Sequence, residues 1–323
     1  MKTTSILTAV FAAGIAVTAA AQSLTPTAGH STTQLFQTAA GLTIGGIEAD
    51  ASGNLYYLLS DSSYPSPAST KLMRRSAGDG YATETPLFDY GSSVFGSFVR
   101  LNAGKLYLGE NTVGTIRTFD LSNSNVSLLA TVGGNYDLDF GGGYGWLSVN
   151  PGYATFAVQN EVQKLNLTSG LTTTVLTSSD YSGPLALDGA GALYYGATMY
   201  GAGGDIFKYS AAELAAGGLG LDAGHNYIEN PGNAYFSYGS DGALYSTNFT
   251  SIIRNTLGAV PSSEAWATSS QFIGNLAEES GTVFATVTDY GTNRSSVFAV
   301  VPEPATAACL LLGTGMLFLR RRR

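Results

Sequence analysis

The sequence predicts an all-β fold, a β-propeller of six blades, set between an N-terminal signal peptide and a C-terminal transmembrane helix. Three observations predict it. Glycine fills 41 of 323 positions, and short apolar runs rich in Tyr, Phe, Leu and Val are broken by Gly, Asn, Asp or Ser. That is the pattern of many short strands joined by turns. A unit of Gly, one residue, an aliphatic and an aromatic recurs along the middle of the chain, and long helical periodicity is lacking.

The chain opens with Lys2, an apolar run from Ile6 to Val17, and small residues at Ala19 and Ala21. A basic start, a short apolar stretch and small residues before the cut make a secretory signal peptide, residues 1–21, cleaved after Ala21.

A propeller-like domain is expected over 22–300. Its repeat anchors are Gly53-Asn54-Leu55-Tyr56, Gly104-Lys105-Leu106-Tyr107, Gly191-Ala192-Leu193-Tyr194, Gly242-Ala243-Leu244-Tyr245 and Gly281-Thr282-Val283-Phe284. A looser copy runs from Gly152 to Phe156, and the glycines are spaced 51, 48, 39, 51 and 39 residues apart. Small residues open the strand before most anchors, as in Gly45-Gly46-Ile47, Gly96-Ser97-Phe98 and Gly183-Pro184-Leu185. Units of this length, reading strand, Gly turn, strand, turn, strand, are propeller blades. The Gly supplies a positive-φ turn, and small residues suit the place where blades converge. Six anchors predict six blades; a β-sandwich or a β-helix is the alternative architecture. Ser210-Ala211-Ala212-Glu213 has capping-box spacing and predicts one short helix.

The repeat resembles that of NHL-type six-bladed propellers, whose blades share Asp-x-x-Gly-x-aliphatic-Tyr. Asp50 to Tyr56 matches it, and Asp188 matches in a partly shifted context.

At the C-terminus, Val301-Pro302-Glu303-Pro304 precedes an uncharged stretch, 305–319, and then Arg320, Arg321, Arg322 and Arg323. As a helix the stretch is about 22 Å long, short of a roughly 30 Å hydrocarbon core, but terminal arginines reach the headgroups. These three parts in this order resemble the PEP-CTERM sorting tail of Gram-negative bacteria. The resemblance implies export by the secretion machinery and a transient membrane anchor. It further implies recognition by an exosortase and delivery to the cell surface or extracellular (biofilm) matrix. It says nothing of the upstream domain's activity.

Lys2, Glu303 and the four terminal arginines lie in the end segments, so the domain between carries an excess of about 12 acidic charges. Such a surface repels nucleic acid. The single cysteine, Cys309, lies in the tail, so the domain has neither a disulfide nor a thiol nucleophile.

Nucleophilic catalysis finds no support: His30 and His225 are the two histidines, and no nucleophile elbow accompanies them. Polar residues after the second strand of most blades, Asp61, Asn111, Asn160, Asn248 and Asp289, would ring one end of the axis, where oxygens could gather around Ca²⁺. The opposing expectation is that they cap turns. Glu48 with Asp50, and Asp137 with Asp139, alternate along strands and could pair carboxylates on one face. Tyr136, Tyr144, Trp146 and Tyr153 cluster in a Gly-rich stretch; Tyr144 and Trp146 are candidate sugar-binding rings, unless Trp146 packs between blades. The expectation is a non-catalytic binding or structural protein, polysaccharide-associated. The alternative is a metal-dependent propeller hydrolase of lactonase-like type.

Overall fold

A computed structural model describes residues 22–61, 69–112, 114–152, 160–179, 182–196, 204–229 and 231–303. The signal peptide, Tyr153, Pro304, the apolar stretch 305–319 and Arg320 to Arg323 lie outside them. Among the described residues, no helix is long and apolar enough to cross a membrane.

The architecture is all-β, built of antiparallel meanders. Four sheets stand as separate blades. Their inner strands are Gly96–Asn102, Gly134–Gly141, Leu185–Leu187 and Phe236–Tyr238. The count of separate blades is therefore four, not six, because the remaining meanders share one eight-stranded sheet. One of these meanders starts at Leu42–Ala49 and the other at Phe272–Glu279. A single parallel pair, Arg294 opposite Leu42, links them edge to edge. The short helix Ala211–Ala216 carries the expected capping box between Ser210 and Glu213.

The repeat does locally what its residue types require. Gly53, Gly104, Gly191, Gly242 and Gly281 all take positive φ, from 75° to 83°, in the turn between first and second strands. The aliphatic and aromatic residues that follow are buried in every copy. They enter patches of core that each join one meander to the next. Tyr56 and Leu58 pack with Val99 and Leu106, Tyr107 packs with Leu138 and Leu147, and Tyr194 packs with Phe236 and Leu244. Burying a Leu or a Tyr of this kind stabilises by about 1.5–3 kcal/mol, so the ring is held by contacts between meanders as much as by hydrogen bonds within them.

Small residues sit where inner strands converge. A Cβ added at Gly45 would lie 2.7 Å from the Gly96 carbonyl oxygen, and one at Gly96 would lie 2.4 Å from Leu58 Cδ1. The ring is closed by the N-terminal segment. His30–Gln37 pairs antiparallel with the last strand, Arg294–Pro302, and Thr25–Pro26 adds to the preceding blade. Gln22 is buried beside this seam, donating to Arg294 O at 2.7 Å and accepting from Ser296 Oγ.

Candidate functional site: two axial cavities

The inner strands leave a cavity at each end of the axis, and their side chains differ in kind. Both follow from alternation along a strand, which turns every second residue of each inner strand toward the axis.

The first cavity, about 260 Å³, lies where the inner strands begin. Its walls are Tyr235, Phe272 and Tyr290, with Ser97, Asn111, Asn275, Thr286 and Thr288 supplying hydroxyls and amides. No Asp, Glu, His, Lys or Arg lines it among the described residues. Phe272 is the centre of the aromatic wall: its ring lies 4.9 Å from that of Phe249, 5.4 Å from Tyr290 and 6.5 Å from Tyr235. Tyr290 is 63% exposed and forms the rim. Phe249 holds φ at 71°, a conformation a bulky residue adopts only when its surroundings impose it. Asn248 imposes it, accepting from the backbone N–H of Thr250 and of Ser251. In the lining of this cavity Thr286 Oγ1 and Asn111 Oδ1 are buried without a hydrogen-bond partner among the described residues.

The second cavity, about 240 Å³, lies where the inner strands end and is charged. Glu48, Asp139, Glu278 and Arg100 face it beside Phe140, Leu187 and Tyr238. Asp137 and Asp139 do share a face, as alternation predicts. They spend that position on the neighbouring strand: Asp137 Oδ2 accepts from Leu185 N at 3.1 Å and Asp139 Oδ2 from Leu187 N at 2.7 Å. Adjacent inner strands are not paired, so the two carboxylates satisfy amides that would otherwise be orphaned. Burial pushes the Asp139 carboxyl up to about 6, against its backbone hydrogen bonds and Arg100. Burial likewise raises Glu48 to about 7, against the attraction of Arg100. Asp137 is raised by burial as well, in spite of Arg100. Burial works against the charge of Arg100, but Asp137, Glu48 and Asp139 more than restore it.

Arg100 separates the two cavities. Its Nη2 donates to Asp137 Oδ1 at 2.7 Å, its Nε to Leu138 O at 3.0 Å and its Nη1 to Val99 O at 3.3 Å. Between this plug and the first cavity is a void of only about 20 Å³.

Of the five residues considered for a cation, Asn111 lines the first cavity. Asp61 accepts from Ser69 N, Asn160 from the Ser182 hydroxyl, and Asp289 from Gly291 N and the Thr292 hydroxyl, while Asn248 holds its own turn. Among the described residues no group of three His, Cys, Asp or Glu could hold a metal ion. Asp50 does not pair with Glu48, because the strand ends at Ala49. It caps the Gly53 turn through Ser52 N and Asn54 N, both at 2.9 Å, and accepts from the Tyr56 hydroxyl at 3.0 Å. Burial and Asp50 push that phenol up to about 12. Asp188 with Tyr194 and Asp241 with Tyr245 repeat the arrangement.

Trp146 is buried against the next meander, and Tyr144 stands on the rim of a separate groove with the Lys164 ammonium 3.8 Å from its ring centre. His225 is clasped by Asp222 at Nδ1 (2.9 Å) and Glu213 at Nε2 (3.2 Å), which leaves neither nitrogen free to act as a base. The His30 ring lies tilted against Trp266, with ring centres 4.5 Å apart. The rings Tyr235, Phe272 and Tyr290 escape sequence reading because they come from two separate meanders and share no local motif.

No protein-family model matches this sequence, and no curated protein matches it. Among solved structures, one similar chain is a gluconolactonase from Xanthomonas campestris, 14% identical, with a TM-score of 0.60 over 86% of this chain and 91% of that one. The calcium-binding protein regucalcin from Agrobacterium tumefaciens is 11% identical, with a TM-score of 0.57 over 80% and 90%. The PQQ domain of pyranose dehydrogenase from Coprinopsis cinerea is 9% identical, with a TM-score of 0.57 over 87% and 97%. At these identities the likeness is one of architecture: the chain has the β-propeller fold, with neighbours of the gluconolactonase kind.

Proposed function

We propose that this chain is an exported binding propeller that holds an uncharged, hydroxyl-rich ligand, an extracellular polysaccharide, in its first axial cavity. The observation that carries the reading is the wall of that cavity: aromatic rings beside amides and hydroxyls, with no Asp, Glu, His, Lys or Arg among the described residues. Aromatic faces take the apolar faces of sugar rings, and neutral polar groups take their hydroxyls without the cost of burying a charge. In this reading the two linked meanders count as two blades, six in all. The reading takes the leader and the Pro-Glu-Pro tail as export and exosortase-sorting signals, which would bring the protein to the cell surface or the extracellular matrix. The end of the last strand at Pro302 supports it, since cleavage beyond that point would leave the sheet intact.

The test is a glycan array followed by calorimetry on the purified protein. Neutral glycans should bind, and Tyr290→Ala should weaken binding about tenfold. Absence of any glycan ligand, together with turnover of a lactone, would overturn the reading.

The second reading is a lactonase-like, metal-dependent hydrolase, supported by the likeness in fold to a gluconolactonase and to a calcium-binding protein. Among the described residues the fit to a hard cation is poor: the first cavity offers amides and hydroxyls without a carboxylate, and the carboxylates of the second are engaged with backbone amides. A calcium-dependent rise in melting temperature, with calcium found by mass spectrometry, would favour it over the binding reading.

A further inference from the structure

The first cavity ends blind. Arg100 and Asp137, on neighbouring inner strands, join at 2.7 Å at the axial end of the cavity, and the void above them, about 20 Å³, has room for about one water. Nothing threads through. The cavity itself, about 260 Å³, is below the range of roughly 300–1,000 Å³ typical of drug-sized ligand sites, so it suits one sugar ring and not a run of them.

Its lining is also unfinished. Thr286 is fully buried, yet its hydroxyl meets no partner among the described residues, and the side-chain oxygen of Asn111, another residue lining the cavity, is in the same condition. Buried polar atoms are nearly always paired. A sugar hydroxyl both donates and accepts, and is the kind of group that pairs with such atoms once the wall shifts to admit it. Gly274 packs beside the Thr286 hydroxyl with no side chain of its own, since a Cβ there would stand 2.7 Å from it.

We infer that this cavity recognises the terminal residue of a neutral glycan, inserted end-on, and not an internal segment of the chain. The inference rests on the saccharide reading above and sharpens it: the protein caps or counts polysaccharide ends.

The test uses the purified full-length protein with glucose, galactose and mannose and with linear neutral glucans, galactans and mannans, each as short oligomers and long polymers. End recognition predicts that binding follows the molar concentration of chain ends whatever the length, and that the matching monosaccharide competes. Thr286→Val should lower affinity about tenfold. Gly274→Ala, which covers the same hydroxyl, should do likewise and serves if the first variant fails to fold. Binding in proportion to polymer mass, with several proteins per chain and no competition by monosaccharide, would overturn end recognition and leave the saccharide reading standing. Failure to bind any of these glycans would overturn both.

Discussion

The Arg100 guanidinium donates to Asp137 Oδ1 at 2.7 Å, and the same side chain reaches Leu138 O on the strand beside it. One cation thus ties inner strands together at the point where they have no ladder between them. Arg100→Met should destabilise the domain by about 3–5 kcal/mol, since it strands a buried carboxylate. Adding Asp137→Asn should recover part of the loss. Urea unfolding of the two variants measures this, and a change below about 1 kcal/mol for the single variant would refute the keystone role.

The second cavity makes stability depend on pH in a definite direction. Glu48 and Asp139 titrate near 7 and 6 in the folded chain, above their ordinary values of 4.5 and 3.8. The native state therefore holds more protons than the unfolded one between about pH 4 and 7, and stability falls as pH rises through that window. Glu48 contributes at most about 3 kcal/mol to the fall. Melting curves from pH 4 to 8 should show the decline, and Glu48→Gln should flatten its upper part. A wild-type profile that rises steadily from pH 4.5 to 7, unaltered by Glu48→Gln, would contradict the burial argument.

His225 sets a second pH response near the inserted helix. Burial opposes its protonation, but Asp222 and Glu213 outweigh burial, and its pKa is raised above 6.5. The clasp is fully stabilising below the unfolded pKa and is lost as pH rises through the folded one. Hydrogen-exchange protection in Ala211–Ala216, corrected for the intrinsic rise of exchange with pH, should therefore fall on the alkaline side in the native chain. In His225→Leu it should be low at every pH.

The Asp–Tyr turns invite a smaller, repeated test. Tyr56→Phe, Tyr194→Phe and Tyr245→Phe each remove one hydrogen bond to Asp50, Asp188 or Asp241. Each should cost about 1 kcal/mol. Their sum should be additive, because the turns belong to different meanders. Strong coupling between them, seen in the triple variant by denaturant unfolding, would show that the turns are not independent.

Those turns also mark what could be read from the sequence. Gly53 and its counterparts are legible because a positive φ and a buried aliphatic–aromatic pair are local demands. Asp137 and Asp139 were legible as a pair on one face, but not as partners of Leu185 N and Leu187 N, which lie 48 residues away. Glu48 and Asp50 mislead by the same alternation, because the strand stops between them. The aromatic cavity is the least legible part. Tyr235 belongs to one blade and Phe272 and Tyr290 to the next, and only the closed ring brings them to one wall. The joining of two meanders through Arg294 and Leu42 is equally invisible, since one backbone pair leaves no pattern in the residues.

The seam that closes the ring bears on the order in which the protein can become itself. Gln22 and Arg294, bonded at 2.7 Å, lie 272 positions apart, and the strand beginning at His30 waits for the strand ending at Pro302. A chain emerging N-terminus first can form its middle blades early, but the strand His30–Gln37 stays without its mate until almost the last residue of the domain has appeared. Closure is thus a check on completeness: a chain cut short before Arg294 keeps two raw edges and stays prone to sticking to its neighbours. The same seam bonds Glu303 N to Gly29 O at 2.8 Å, at the opposite end of the last strand from Gln22, so the joint is fastened along its whole length.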